Sequence, residues 1–302
     1  MAIFDYNAKV VEFSQWYASR YGYTNLRNFK YYYNITDINA VPESSNPSVT
    51  VTPVLARTSI QELTNNTSVP QTQTVSFSET TTESQSSTTT NGAKFSTTVT
   101  STTKFTASVN FKAIGSSVDQ TIAVAMTGEY NYSSSQTKTT TSSRTWTITQ
   151  PVSVPPRSRV TCTLLIYDAP FAIPVNLNCN IVGTQPFITS TQLVGSTHDF
   201  STPTGTAGTP PGIMYLNNWP GRPSEYIGSG RSSGSSSENI LKFRGKGSQT
   251  AVQGLYSTVR FDETPLPGNQ GETRTYYSPI QLANQDNIIP TNSTSIPIIN
   301  PV

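Results

Sequence analysis

The stretch FTASVNFKAIGSSVDQTIAVAM, residues 105–126, decides how the rest of the chain is read. Phe105, Ala107, Val109, Phe111 and Ala113 alternate with Thr106, Ser108, Asn110 and Lys112. After Ile114, Gly115, Ser116 and Ser117, a second alternation sets Val118, Ile122, Val124 and Met126 against Asp119, Thr121, Ala123, Ala125 and Thr127. A period of two marks a strand with two unlike faces. If the chain folds back with Ala113 opposite Val118, then Val109 meets Ile122, Ala107 meets Val124 and Phe105 meets Met126. Every large apolar side chain then lies on one face. The other face is Thr, Ser, Asn and small residues. Lys112 and Asp119, both near the tip, are the only charges between Lys104 and Glu129, and Gln120 is the one polar residue on the apolar face.

Two structures fit this pattern. One is a half-buried hairpin of a soluble sheet. The other is a strand pair of a membrane β-barrel, with lipid on one face and water on the other. Residues 105–113 extend about 30 Å at ~3.3 Å each. A tilt near 45° leaves about 21 Å along the bilayer normal, close to the ~25 Å apolar band of such barrels. One hairpin cannot close a barrel, so the membrane reading requires several copies.

The hairpin lies in an unusual setting. All 21 prolines fall outside residues 71–150, and that region is nearly half Ser and Thr. Ser/Thr tracts are often disordered linkers, but those contain proline and few β-branched or aromatic residues. Here Thr, Val, Phe and Ile alternate with polar residues, and the exclusion of proline suits long central strands, because proline cannot donate to a ladder. Residues 72–103 and 128–149 are expected to be long strands. Residues 159–167 and 172–182 read as two more, around a turn at Asp168, Ala169 and Pro170. Cys162 and Cys179 flank that turn, so either a cross-strand disulfide or two buried thiols is possible.

The first 40 residues differ. Asp5 or Asn7 can cap a helix whose apolar positions Val10, Val11, Phe13, Trp16, Tyr17 and Ala18 recur at three- and four-residue spacing, with Gly22 as a stop. Tyr21, Tyr23, Phe29 and the run Tyr31, Tyr32, Tyr33 follow. Residues 185–237 are rich in Gly, Pro and Ser around Tyr215, Trp219 and Tyr226, which implies long irregular loops. Strand patterning resumes over 240–261, and the proline-punctuated tail from Thr264 reads as an extended arm or a removable segment. The fold class is therefore mainly β, an elongated multi-domain arrangement of long antiparallel strands and a β-sandwich, with a small helix-containing N-terminal domain. The expected division is 1–65 with 187–240, 66–186, 241–275, and a tail 276–302.

Composition narrows the function. The 302 residues carry a net charge of +2 with 12% charged residues, against ~25% in typical domains. The 19 basic residues are spread along the chain, which argues against a nucleic-acid partner. Without an apolar run of ~18 residues, no helix can span a membrane. His198 with Asp199 is the only possible start of a catalytic triad, but no nucleophile elbow accompanies it. GSGRSSG at 228–234 is neither a P-loop nor a dinucleotide pattern and reads as a flexible loop. With one histidine and no C-x2-C spacing, no metal site is expected, and neither a cofactor nor an enzymatic activity is indicated. The aromatic sets Trp16, Tyr17, Tyr21, Tyr23, Tyr31, Tyr33 and Tyr215, Trp219, Tyr226 either fill cores or offer contact area with a polar handle to sugars and proteins. A carbohydrate-binding module and a crystal or storage protein are therefore alternative functions.

The order of features supplies a resemblance. A Thr/Ser-rich strand, the amphipathic hairpin, the strand NYSSSQTKTTTSSRTWTIT and then QPVSVPPRSRVTCTLLIYDAPFAIPVNLNCNIVG is similar to aerolysin-type β-pore-forming toxins. FRGKGSQTAVQGLYSTVRFDE resembles a strand pair of the epsilon-toxin and mosquitocidal-toxin branch, to which several Bacillus crystal proteins belong. The resemblance covers residues 69–263. It implies a leaderless bacterial protein, held in a parasporal crystal or released outside the cell, whose partners are a target-cell membrane and a receptor of unknown chemistry. It further implies a monomer or dimer that becomes a homo-oligomer after proteolysis. Mapped onto this chain, Phe105, Ala107, Val109, Phe111, Ala113, Ile114, Val118, Ile122, Val124 and Met126 would meet lipid, and Thr106, Ser108, Asn110, Lys112, Asp119 and Thr121 would line the lumen. The two aromatic sets would bind the receptor, and Arg274, the last basic residue, would be the cleavage point.

Overall fold

The computed structural model describes residues 2–184, 196–201, 218–231 and 239–283. The N-terminal elements are β1 (Ala2–Asp5), α1 (Tyr6–Tyr21), β2 (Thr24–Tyr31), β3 (Tyr33–Pro42), β4 (Ser48–Thr50) and β5 (Val54–Asn65). The proline-poor middle forms β6 (Gln71–Lys94), β7 (Thr100–Lys112), β8 (Asp119–Asn131) and β9 (Lys138–Val154). There follow β10 (Ser158–Gly183), β11 (Ser196–Ser201), β12 (Tyr226–Arg231), β13 (Asn239–Pro265), β14 (Arg274–Tyr277) and β15 (Gln281–Leu282).

β10 and β13 run antiparallel from Ser158 opposite Pro265 to Val182 opposite Ile240, a pair about 80 Å long at ~3.3 Å per residue. The other edge of β10 is shared by β5 at one end and β3 at the other. β6 pairs with β13 and, on its opposite edge, with β9. β12, β14 and β15 complete the flanks of β13. The hairpin β7–β8 forms a separate small sheet with β4, and β2 pairs with β11. The expected mainly-β class of long antiparallel strands with one N-terminal helix is what the chain adopts.

Two hydrophobic cores lie along the long pair. One joins Val109, Ile122 and Met126 of the hairpin to Phe77, Trp146, Leu164, Leu255 and Val259. The other packs α1 through Tyr6, Val10, Phe13 and Tyr17 against Phe95, Tyr132, Leu177, Trp219, Tyr226 and Phe243. Asp5, not Asn7, caps the helix, accepting the N–H groups of Asn7 and Ala8 at 2.9 and 3.2 Å. Gly22 ends it at φ 74°, a left-handed conformation that favours glycine.

Three strand expectations are corrected; the expected strand 128–149 is divided at residues 132–137 between β8 and β9. Residues 158–183 form one strand, not two around a turn. The turn-prone Asp168 is absorbed where the register slips from Tyr167 opposite Tyr256 to Asp168 opposite Gly254, leaving Leu255 as the extra residue of a bulge. Pro170 and Pro174 sit where β10 has passed β5, which ends opposite Asp168, and has not reached β3, which starts opposite Val175. Their missing N–H groups therefore cost no ladder bond. The expected strand 72–103 is likewise interrupted between Lys94 and Thr100, because Phe95 and Val99 turn into the aromatic core. A glycine is required at position 92, since a Cβ there would lie 2.1 Å from the Tyr132 carbonyl oxygen.

The continuity of β10 settles the cysteines. Cys162 and Cys179 lie on one extended strand, about 55 Å apart at ~3.3 Å per residue, and both thiols are free and buried. Burial pushes their pKa values up to about 11 and about 12. Ellman's reagent should therefore label neither thiol in the native protein at pH 8 and both after denaturation without reductant; a bridge would leave the denatured, unreduced protein unlabelled. Trp219, 5% exposed, should behave as a core residue. Trp219→Ala is expected to cost ~3–5 kcal/mol by chemical denaturation, and a loss below ~1 kcal/mol would remove it from the core.

Candidate functional site

The hairpin forms in the register its alternation predicts, with Phe105 opposite Met126, Ala107 opposite Val124, Val109 opposite Ile122 and Lys112 opposite Asp119. Ala107, Val109, Phe111, Ala113, Ile122, Val124 and Met126 are buried, and Phe105 is half-buried against the same core. Thr106, Ser108, Lys112, Asp119 and Thr121 face solvent, and Asn110 is half-buried. The ladder ends at Lys112 and Asp119, so the connecting loop lifts away. Ile114 and Val118 are 41% and 65% exposed at the tip, and Val118 does not join the buried face.

Tyr256 of β13 holds the tip. Its ring stacks on Phe111 at 5.6 Å between centroids with 3° between planes, and its hydroxyl accepts the Ile114 N–H at 3.0 Å. Burial is the main cause of its raised pKa.

Each outer edge of the hairpin has its own partner. The β7 edge is met by β4 in parallel, with Ser48 opposite Ser108. Ser108 donates to the Pro47 carbonyl and Val51 donates to the Asn110 carbonyl, both at 2.9 Å. The β8 edge is met by side chains. Gln85 donates through Nε2 to the Ala125 carbonyl at 2.8 Å and accepts the Thr127 N–H at 3.0 Å. Ser87 donates to the Glu129 carbonyl at 2.7 Å and accepts the Glu129 N–H at 3.3 Å. Thr89 donates to the Asn131 carbonyl, and Gln249 of β13 to the Thr127 carbonyl.

The aromatic sets divide. Tyr17, Trp219 and Tyr226 are buried at 0%, 5% and 1% exposure, which corrects their assignment to a receptor surface, because their rings are spent on packing around α1. Trp16, Tyr21, Tyr23, Tyr31 and Tyr33 are half-buried. The Tyr33 hydroxyl donates to Asn7 Oδ1 at 3.2 Å and accepts the Ser96 N–H at 2.9 Å. Tyr215 lies outside the described residues. Arg274 is exposed at the start of β14, opposite Glu263, and pairs with Glu272 at 3.1 Å. Beyond it, β15 lies opposite Tyr256 and Ser257, Arg144 donates to the Ala283 carbonyl at 2.6 Å, and Ile280 and Leu282 pack on the hairpin core.

His198 and Asp199 fall in β11, and residues 228–231 of the GSGRSSG stretch belong to β12, not to a loop; residues 232–234 lie outside the described residues. Among the described residues no group of three or more His, Cys, Asp or Glu side chains is placed to hold a metal ion. No spacing rule could have singled out Gln85, Ser87, Thr89, Gln249, Tyr256 or β4, because each meets the hairpin from a strand distant in sequence.

Residues 22–275 match the family model described as Clostridium epsilon toxin ETX/Bacillus mosquitocidal toxin MTX2. The chain is 41% identical over 286 residues to the pesticidal crystal protein Cry15Aa of Bacillus thuringiensis subsp. thompsoni, covering 92% of this chain and 78% of that protein. Its fold is similar to that of a non-toxic crystal protein from Bacillus thuringiensis, with a TM-score of 0.56 and 22% identity over 89% of this chain and 100% of the other. It is also similar to that of the Mpp75Aa1.1 β-pore-forming protein from Brevibacillus laterosporus, with a TM-score of 0.51 and 15% identity over 93% and 96%. With the family model spanning most of its length and a relative at this identity, the chain belongs to the epsilon-toxin and mosquitocidal-toxin (ETX/MTX2) family.

Proposed function

We propose that this protein is an aerolysin-like β-pore-forming toxin, carried in a parasporal crystal or released outside the cell. It binds a cell-surface receptor, is activated by proteolysis, oligomerises and inserts residues 105–126 of each copy into the target membrane. The receptor-binding region is 1–65 with 187–240, its half-buried aromatics Trp16, Tyr21, Tyr23, Tyr31 and Tyr33 remaining as contact residues. Residues 66–186 carry the inserting hairpin, 241–275 close the sandwich, and 276–302 are the removable tail.

The observation that carries this reading is the hairpin's two faces. Removing each buried Val, Ile, Phe or Met side chain from water is worth ~1.5–3 kcal/mol, so releasing this face into water would forfeit all of it. Releasing it into lipid forfeits little, because acyl chains are about as apolar as leucine. The Thr/Ser/Asn face already meets water and would keep doing so in a lumen. Backbone edges left unpaired in hydrocarbon cost several kcal/mol per group, so insertion requires copies paired edge to edge. The lectin-like alternative is weakened by the burial of Tyr17, Trp219 and Tyr226, which removes three rings from any sugar platform.

Cysteines at Val109 and Val124, in a background lacking Cys162 and Cys179, should carry an environment-sensitive dye into lipid after activation, while cysteines at Ser108 and Thr121 should report water. The vesicles should leak their dye only when oligomers form. Equal polarity on both faces in the assembled state would overturn the barrel. A crystal protein without pore activity would give neither oligomers nor leakage on receptor-bearing membranes.

The tail is the proposed cover of an edge that must stay blocked before assembly. Trypsin is expected to cut at exposed Arg274 before Arg260, which lies inside β13, and to free the peptide 275–302. Mass spectrometry after limited digestion, followed by native sizing with membranes, checks this. If precursor and cut chain assemble to the same extent, the tail is only a frayed terminus.

A further inference from the structure

The hairpin's two outer edges are satisfied by different means, side chains along β8 and a short strap strand along β7. β6 cannot offer β8 a backbone edge, because at residues 84–87 both of its edges are already occupied, by β9 on one side and β13 on the other. The hairpin therefore lies over the face of β6. The alternate residues Gln85, Ser87 and Thr89 rise from that face and meet the β8 backbone at Ala125, Thr127, Glu129 and Asn131. A carboxamide carries one donor and one acceptor group, as a peptide does. Gln85 thus stands in for a peptide unit of a missing neighbour strand, and Ser87 does the same with a single hydroxyl. Gln249 adds a further donor from below, fully buried and oriented by the Tyr130 hydroxyl at 2.9 Å. On the opposite edge β4 supplies three residues of ladder, on a segment that leaves β3 at Pro42 and rejoins the sheet at Val54.

We propose that the Gln85–Ser87–Thr89 row with Gln249, and the strap of residues 43–53, together form a lock that keeps the hairpin docked. They are placeholders for the backbone edges that a second copy of this chain would take up. This rests on the pore reading for its purpose but not for its existence. The row holds the base of β8, the strap holds β7 from Ser108 to Asn110, and Tyr256 holds the tip. The lock is polar on both edges, so every group it releases can be re-satisfied by another strand. The apolar face, by contrast, is released only where lipid can receive it.

Two variants of the full chain test the lock. Gln85→Met with Ser87→Ala and Thr89→Val removes the row's polar atoms while keeping similar volumes. Amides of Thr127 and Glu129 should then exchange with deuterium at least about tenfold faster, the opening being local, with Leu164 and Val175 of β10 unchanged as the control for folding. Ser48→Cys with Ser108→Cys joins the strap to β7 at two residues that lie directly opposite each other. After the same trypsin cut as wild type, and under oxidising conditions, this variant should assemble on receptor-bearing membranes at least roughly tenfold more slowly, and dithiothreitol should restore the rate. Unchanged exchange at Thr127 and Glu129 in a folded triple variant overturns the lock, as does an oxidised strap variant that assembles at the wild-type rate. If trypsin-cut wild type itself forms no oligomer on receptor-bearing membranes, the pore reading fails, and the exchange experiment alone decides the lock.

Discussion

The antiparallel pairing of β10 with β13 is the constraint on which the rest of this molecule depends. The ladder holds from Ser158 to Val182 through a single bulge at Leu255, and both hydrophobic cores are built along it. Its inward residues serve the hairpin core at one end, through Leu164 and Val259, and the helix core at the other, through Leu177 and Phe243. Most of the remaining large sheet is attached to its edges. β5 and β3 share one side, and their gap is where the chain detours to form β4 against the hairpin. β6 and the strands of the tail share the other side. A strand pair this long gives the described part of the chain an extended axis that both cores share.

That explains how a chain so rich in Ser and Thr can be ordered. Between β6 and residues 137–149 the hydroxyls form contacts, Ser76 with Thr149, Thr80 with Thr145, Ser86 with Thr139 and Thr88 with Thr137, at 2.8 to 3.3 Å. Such pairs stabilise a sheet whose faces carry few large apolar groups. On the face turned toward the hairpin, the same residue types do a different job and satisfy a strand lying over them. The polar middle of the chain is at once a ladder and a docking surface. An apolar β6 face would bind the hairpin's side chains but leave the β8 edge unsatisfied, and a buried unsatisfied peptide group is costly.

The tail and the hairpin meet at one residue. β15 lies along β13 opposite Tyr256, and the Tyr256 side chain both stacks on Phe111 and accepts the Ile114 N–H. Arg144 ties the end of the same segment through Ala283, and it is itself held by Glu83 at 2.5 Å. The segment proposed for removal and the segment proposed for insertion are therefore neighbours in one core, although more than 140 residues separate them in the chain.

By itself the sequence determined the hairpin, its register and its two faces, because a period of two leaves one solution that gathers Val109, Ile122, Ala107 and Val124. It also determined the helix, through Gly22 and the spacing of Val10, Phe13 and Tyr17, while leaving the cap between Asp5 and Asn7, and it identified the middle of the chain as strand by excluding proline. These are local properties, set by steric and hydrogen-bonding rules that act over a few residues. Only the tertiary structure decided whether Asp168 and Pro170 make a turn or a bulge, since that depends on β13 continuing alongside and on β5 and β3 leaving a gap. Likewise the exposure of Trp219 and Tyr226 depends on a helix two hundred residues earlier. The partners of the β8 edge, Gln85, Ser87, Thr89 and Gln249, carry no local signal at all. Their role arises because β6 has spent both backbone edges elsewhere and has only side chains left to offer.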